Sequence, residues 1–563
     1  MMETSGPLEP YNLYTTDPVL RRAVDREGAG AADVDLVEFG ALVGSEEVYQ
    51  WGFEANRFSP ELVSHDRFGE RIDEVRYHPS YHRMMELSVG AGIHASHYDG
   101  TPGDGSYVAR TARMHLVSQV EVGHGCPTSM TGAVLPALRE QPDLAAVWEP
   151  RIRTRSYDQR LIDPATKTGN LLGMGLTERQ GGSDVRANTS VAVPVNGGGP
   201  GGEYRLTGHK WFTSAPMCDA FLVLAQAPAG ISCFLVPRIL EGGTRNPLRL
   251  MRLKDKLGNR SNASAELEFT DAAGWLVGEE GRGINVIIKM VNATRVDVTN
   301  WSVSLMRQAV SQAAWHLTQR EAFGALLIDK PLMQNVLADL ELETEVGTIM
   351  VMRLAGAFER ASVDDHEAAF LRLSSAVAKY WLTKRSTPVV REALECAGGN
   401  GYVEESILPR LYREAPLNAI WEGAGNVIAL DVLRALQRAP EAGEAFLAEL
   451  AHARGADRVF DRELDRLQQT LAAPEGDTAT EAGARRLVEQ LAVCWGASLC
   501  LRHEPVIADA YVRSRLDGDW GAELGTLSPG LDLAGLAQRA CPSTPTAEAE
   551  IPISDPTKTR TLA

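Results

Sequence analysis

Glu422 stands in the run Ile420-Trp421-Glu422-Gly423-Ala424-Gly425-Asn426, a carboxylate flanked by apolar side chains and followed by two glycines. A Glu in this setting has two readings. It can serve the N-terminus of a following helix, or it can act as a base whose pKa is lifted towards the operating pH by a water-poor surround. Ile420 and Trp421 are the side chains expected to supply that surround. Four further segments have residue types that could do chemistry. Gly175-Leu-Thr177-Glu-Arg-Gln-Gly-Gly182-Ser183-Asp184-Val-Arg-Ala187 is a Gly-rich turn that Ser and Asp stabilise through side-chain to backbone hydrogen bonds. His209-Lys-Trp211-Phe-Thr213-Ser214 reads as a strand whose Trp belongs to a core by default. Arg320-Glu-Ala-Phe323-Gly324 follows a long helical pattern, where a lone Arg is ordinarily a solvated charge. Glu395-Cys-Ala-Gly398-Gly399-Asn-Gly401-Tyr402 ends a helix, and its glycines also let the backbone approach a phosphate or ribose. His94 and His97 form an HxxH without a third ligand, so no metal site is expected. The P-loop, the dinucleotide GxGxxG and the GxSxG elbow are all missing.

The elements that must position these residues change character along the chain. Residues 1–170 show helical periodicity, as in Tyr81–Val89 and Ala109–Gly123, with few strand-like runs. Residues 171–280 contain short strand-forming runs separated by Gly, Pro and Asn: Thr189–Pro194, Tyr204–Gly208, Ala220–Ala225, Ser232–Pro237 and Ala265–Phe269. GGGPGG at 197–202 reads as a hairpin loop without chemistry. Residues 281–440 return to helices, predicted at Ile284–Ser302, Val303–Ala322, Met333–Arg360, Asp365–Thr387 and Val389–Ala397. A further helical region spans 441–540. The Pro- and Thr-rich end, 541–563, is expected to be disordered. This order predicts an α+β protein with a β domain between helical ones.

The 563 residues exceed one compact core, so several domains are expected. The absence of an apolar run of about 18 residues excludes a membrane helix, and the acidic N-terminus has no signal-peptide pattern. Seven scattered cysteines without a CxxC pair suit reduced thiols and a cytoplasmic location. The net charge of −18 disfavours a nucleic-acid backbone as partner unless a local basic patch overrides it.

Taken together, the segments resemble the acyl-CoA dehydrogenase superfamily. Thr177-Glu178 with Gly182-Ser183-Asp184 matches its first signature and Glu395–Tyr402, followed by Glu405, Arg410 and Glu414, its second, roughly 210 residues apart. The resemblance implies the acyl-CoA dehydrogenase fold: an N-terminal helical domain, a central β-barrel-like domain and a C-terminal four-helix bundle, here with a helical C-terminal extension. It implies FAD as cofactor, with Met174, Thr177, Gly182, Ser183, Trp211 and Thr213 at the flavin. Arg320, Phe323, Glu395, Gly398, Gly399 and Asn426 would contact the FAD of a neighbouring subunit in a dimer or tetramer. It implies acyl-CoA as substrate, near Ser183, Asn292, Arg295 and Gly423, with electrons passing to an electron-transfer flavoprotein or to oxygen. Glu422 takes the position of the catalytic base. Relatives that carry the base on the earlier helix have it where Thr294 stands, so that alternative is absent. Arg295 then becomes the partner that orients or neutralises Glu422, and Arg434, twelve residues past it, is a second candidate. Phe212 and Ser214 replace the usual Ile and Asn. Pro331, Ala424 and Asn426 replace Gln, Thr and Gln, altering contacts on the adenosine side.

Within the superfamily, Asn12-Leu-Tyr14, Arg26-Glu-Gly-Ala-Gly30, Tyr77-His-Pro79, Gly125-Cys-Pro127, Leu253–Asn262 and the long C-terminal extension resemble the AidB (alkylation-response) branch. That branch implies weak dehydrogenase activity and DNA binding. From residue 441 onward, however, 20 Asp and Glu stand against 12 Lys and Arg, with Arg485-Arg486 and Arg502, Arg513 and Arg515 as the basic concentrations. DNA is therefore disfavoured as a partner. A flavoenzyme acting on a non-CoA substrate is the third reading.

Overall fold

The structure is a computed structural model that describes residues 6–472 and 480–542. Most of the expected tail, from 543 onward, lies outside the described residues. Helices dominate the first 152 residues, among them Ser106–Val120 and Gly125–Leu138. A small antiparallel hairpin, Glu61–His65 with Arg71–Arg76, interrupts them where helix had been expected. Its charged, half-exposed strands carry little β-branched signal, and pairing rather than propensity makes them strands.

Seven strands then form a sheet whose pairings run in a ring. Ala220–Ala227 pairs Val191–Pro194, which pairs Glu203–Ser214, then Ser264–Val277, then Gly230–Pro237, which returns to Ala220–Ala227. Leu172–Gly175 joins parallel to Ala220–Ala227, and Leu248–Leu253 is the seventh strand, paired with Ser264–Val277. Neither of these two was foreseen. Leu-Gly-Met-Gly has weak strand propensity, but a Cβ on Gly173 would lie 2.8 Å from the Phe221 ring, so the glycine permits the close approach.

Three long helices follow: Gly283–Gln319, Pro331–Arg360 and Asp365–Cys396, packed against one another. The two segments expected at 284–302 and 303–322 are one helix that stops at Gln319, and the chain from Glu321 to Leu326 forms a minute hairpin. The segments expected at 365–387 and 389–397 are also one helix. It runs through Pro388, because burial of Val389, Val390 and Ala393 offsets a proline cost of about 3 kcal/mol. Asp364 caps its start, accepting from the His366 and Glu367 amides at 2.8 and 3.2 Å. The Gly283–Gln319 helix is buried nearly all round. Its inner hydroxyls bond carbonyls one turn back, Thr299 to Arg295 at 2.7 Å and Ser304 to Asn300 at 2.9 Å. Leu408–Asn418 and Gly425–Arg438 pack on the Asp365–Cys396 helix, and the turn between them carries Glu422.

The extension docks through helices Pro440–Ala451 and Ala484–His503, where Phe446 and Trp495 meet Phe370 at ring distances of 5.8 and 5.5 Å. Among the described residues no helix is long and apolar enough to cross a membrane.

Candidate active site

The turn after Asn418 is closed by the Ile420 and Trp421 amides, which donate to the Leu417 carbonyl at 2.9 and 3.2 Å. Glu422 then adopts φ +56° and Gly423 φ +108°. Two consecutive left-handed residues, the first with a side chain, turn the carboxylate inward before the next helix begins. Burial raises the Glu422 carboxyl above its ordinary range, opposed by the Thr294 hydroxyl, then Arg295 and Lys379, while Asp297 adds to the rise. Trp421 packs against Trp301 at 5.6 Å between ring centroids and forms part of the apolar surround. Ile420, the other side chain expected there, is 63% exposed and contributes nothing to it. The turn that directs Glu422 inward carries the preceding residue outward.

Neither expected arginine pairs with the carboxylate. Arg295 Nε donates to the main-chain carbonyl of Glu422 at 3.2 Å, and its terminal nitrogen binds Asp431 at 2.8 Å. Arg372 also reaches Asp431, at 3.0 Å. Arg434 is half exposed and lies 3.7 Å from the same Asp431. Asp431 therefore draws both arginines away from Glu422, leaving the carboxylate free of a direct ion pair. The sequence reading missed Asp431 because it lies on the following helix. It missed Lys379 because a lysine within a long helix reads as a surface charge. In the structure Lys379 is buried, and its ammonium donates to the Gly423 carbonyl.

The second half of the site lies on the sheet. The Trp211 amide donates to the Thr177 carbonyl at 2.8 Å, joining the Gly-rich turn to the strand. Beneath them Glu178 and Lys210, both buried, form an ion pair at 2.8 Å. Glu178 also accepts from the Thr189 and Ser190 amides at 2.6 and 3.2 Å. Burial alone would raise its carboxyl, but Lys210 and the amides hold it at about 2. Thr213 is fully buried and its hydroxyl has no hydrogen-bond partner among the described residues. A Cβ at Gly175 would lie 3.0 Å from that hydroxyl, and one at Gly182 would lie 2.3 Å from the Thr177 hydroxyl, so both hydroxyls sit in space that only glycine leaves open. Met174 is half buried on the adjoining strand, and Ser183 is exposed on the turn. Lys254 lies 3.6 Å from the Trp211 ring centroid, a cation–π contact the motifs did not reveal.

The remaining expected residues fall elsewhere. Asn292 and Asn426 are exposed. Gly398 and Gly399 are exposed at the end of the Asp365–Cys396 helix, beside an exposed Glu395. Arg320 and Phe323 lie beyond the end of the Gly283–Gln319 helix. At 1.5 Å per residue that end is about 36 Å from Arg295, so one chain does not bring them to Glu422. Phe323 is 98% exposed at φ +51°. Arg410 and Glu414 are buried and structural: Arg410 donates to the Gly52 carbonyl at 2.8 Å, and Glu414 accepts from Asn259 Nδ2 at 2.7 Å. His94 Nε2 donates to the Thr154 carbonyl at 2.9 Å from within the core, and burial pushes its pKa down to about 4. Of the basic residues in the extension, Arg502 is engaged by Glu449 at 2.8 Å, Arg513 by Asp519 at 3.0 Å, and Arg515 by Asp339 and Glu343. Arg485 and Arg486 are exposed.

Comparison with known proteins agrees with this arrangement. Residues 3–159 match the adaptive response protein AidB N-terminal domain, 173–272 the acyl-CoA dehydrogenase middle domain, and 281–437 the acyl-CoA dehydrogenase C-terminal domain. The Escherichia coli (strain K12) protein named "Putative acyl-CoA dehydrogenase AidB" is 45% identical over 92% of this chain and 94% of its own. Acyl-CoA dehydrogenase family member 11 of Caenorhabditis elegans is 30% identical over 88% of this chain and 84% of its own. The crystal structure of C. elegans ACDH-11 in complex with C11-CoA superposes with a TM-score of 0.82 at 28% identity, covering 97% of this chain and 93% of that one. An acyl-CoA dehydrogenase from Bacillus anthracis, complexed with FAD, shares the fold at 18% identity and TM-score 0.61, over 78% and 81% of the two chains. The chain belongs to the acyl-CoA dehydrogenase family, with the N-terminal domain of its AidB branch.

Proposed function

We propose that the chain is an FAD-dependent oxidoreductase acting on an acyl-CoA thioester, with Glu422 as the base that takes the α-proton. The observation that carries this reading is the Glu422 carboxylate itself, turned inward by a left-handed backbone, without a direct ion pair and raised in pKa by burial. A carboxylate so raised is a stronger base than an exposed one. FAD, where bound, supplies the acceptor for the β-hydride. The residues suited to hold its flavin are Met174, Thr177, Gly182, Ser183, Trp211 and Thr213, and the orphaned Thr213 hydroxyl fits a polar ring edge as partner. Arg295 acts on the Glu422 backbone, while Asn292, Ser183 and Gly423 are the residues the family resemblance offers for the thioester. The 36 Å run of helix supports a cofactor shared between copies, with Arg320, Phe323, Glu395, Gly398, Gly399 and Asn426 serving a neighbour in a dimer or tetramer. We place the domain boundaries near 170, 280 and 440, the protein in the cytoplasm, and an electron-transfer flavoprotein or oxygen as acceptor. The ion pairs that engage Arg502, Arg513 and Arg515 weigh against DNA as the main partner.

The test is anaerobic addition of short, branched and medium-chain acyl-CoAs to the flavin-loaded protein. Bleaching of the flavin band in wild type, and not in Glu422→Gln, is the expected result. An oxidised flavin unmoved by every thioester sinks the acyl-CoA assignment, and bleaching by a non-CoA substrate alone redirects it.

A further inference from the structure

We propose that Lys379 is a positioning residue of this site: with Arg295 it clamps the carbonyls of two consecutive residues, Gly423 and Glu422, fixing the left-handed turn that presents the Glu422 carboxylate, and its charge favours the ionised form of that carboxylate. The proposal rests on the reading of Glu422 as base.

Three observations meet here. First, the turn is unfavourable on its own, since Glu422 at φ +56° has a Cβ that L-residues rarely accommodate there. It persists only where its surroundings hold it. Second, two buried cations from two different helices do so. The Lys379 ammonium, on the Asp365–Cys396 helix, donates to the Gly423 carbonyl, and Arg295 Nε, on the Gly283–Gln319 helix, donates to the Glu422 carbonyl at 3.2 Å. Third, the two cations are not equivalent. Arg295 is neutralised by Asp431, which also takes Arg372. Lys379 is 1% exposed, and the charged groups acting on it are Glu422 from the turn, Arg295 from the facing helix and Lys384 from its own. Glu422 is thus its one acidic counterpart among those groups. Around Glu422 stand the Thr294 hydroxyl, Arg295, Lys379 and Asp297. A lysine without a carboxylate of its own, placed behind the turn of a catalytic carboxylate, is otherwise a costly thing to bury. Burial pushes its ammonium down to about 7, with Glu422 opposing the fall, so its charge is in place below neutral pH.

The experiment uses Lys379→Met, which removes donor and charge at similar volume, and Lys379→Gln, which keeps a donor and removes only the charge. Two quantities are read across pH. One is the rate of anaerobic flavin bleaching by acyl-CoA. The other is the infrared band of the protonated Glu422 carboxyl in flavin-free protein, assigned by its loss in Glu422→Gln. Loss of the positive charge raises the carboxyl pKa, so both variants are expected to move the band midpoint and the acid limb of the rate upward by about one pH unit. Lys379→Met, lacking the donor as well, is expected to lose roughly tenfold in plateau rate, while Lys379→Gln stays nearer wild type. An unchanged midpoint and an unchanged rate profile in Lys379→Gln overturn the proposal even if Lys379→Met does not fold. If wild type is never bleached, or Glu422→Gln is bleached equally, the base assignment fails. The infrared midpoint then still decides whether Lys379 acts on Glu422.

Discussion

At Thr213 a buried hydroxyl finds no partner among the described residues, although a lost hydrogen bond in a dry interior ordinarily costs about 1–3 kcal/mol. Such a group is explained by a ligand that completes it. Thr213→Val is therefore expected to leave the flavin-free protein within about 0.5 kcal/mol of wild type in urea unfolding, and to weaken FAD binding by about tenfold in a fluorescence titration. An unaltered affinity removes Thr213 from the flavin site. Lys210 beneath it behaves in the opposite way. Lys210→Met strands the Glu178 carboxylate in the core, and a loss of about 3–5 kcal/mol is expected in the same unfolding measurement. Because the folded Glu178 pKa is depressed to about 2, its contribution is present above its unfolded value of about 4.3 and is lost as pH falls towards 2. The motifs shared with the family nominated Glu422, Thr177, Trp211 and Thr213 as candidates. They were not enough to find Lys379 or Asp431, because the groups that tune a carboxylate are chosen by proximity in space.

Among the elements, the extension is held to the central helices by buried acids that each face two guanidiniums. Glu449, on Pro440–Ala451, takes Arg353 at 3.0 Å and Arg502 at 2.8 Å. Glu343, on Pro331–Arg360, takes Arg385 and Arg515 at 3.1 and 2.8 Å. Burial would raise both carboxyls, but their arginines hold each at about 2. Docking is accordingly expected to stay intact above about pH 4.3 and to loosen as pH falls from there towards 2. Hydrogen exchange over 440–539, compared with the strands at 220–237, measures this; simultaneous loss of protection in both regions contradicts it. Helical periodicity had indicated the long helices but split them at 302 and at Pro388. Local pattern registers a proline or a polar run, whereas the burial of hydroxyls bonded to their own helix is a property of packing. The hairpin at 61–76 and the Leu172–Gly175 strand escaped notice for the complementary reason, since partners distant in sequence define them.

For the whole molecule, Phe323 bears on the proposal that copies of the chain share a cofactor. This exposed aromatic, at positive φ, lies past the end of a helix that runs about 36 Å on from Arg295, distant from its own chain's Glu422. Phe323→Asp is expected to shift the oligomer to smaller species in sedimentation velocity and to release flavin together with that shift. Wild type that sediments as a flavin-loaded monomer refutes the shared cofactor. The net charge of −18 acts at this scale too, and two arginines of the extension, Arg515 and Arg539, pair with acids of the Pro331–Arg360 helix.

From its sequence alone, this protein's family, its succession of helices, strands and helices, and a candidate base in Glu422 could be read, because signatures, periodicity and residue type are local properties of a chain. The tertiary structure alone decided which charges serve that carboxylate. Asp431 takes the arginines expected for Glu422, Lys379 turns inward from the middle of a helix, and Ile420 turns out. Each outcome depends on which groups share a low-dielectric interior, where an ion must find the nearest partner or bear the cost of burial. That competition is settled among residues up to 136 positions apart, Arg295 and Asp431 among them.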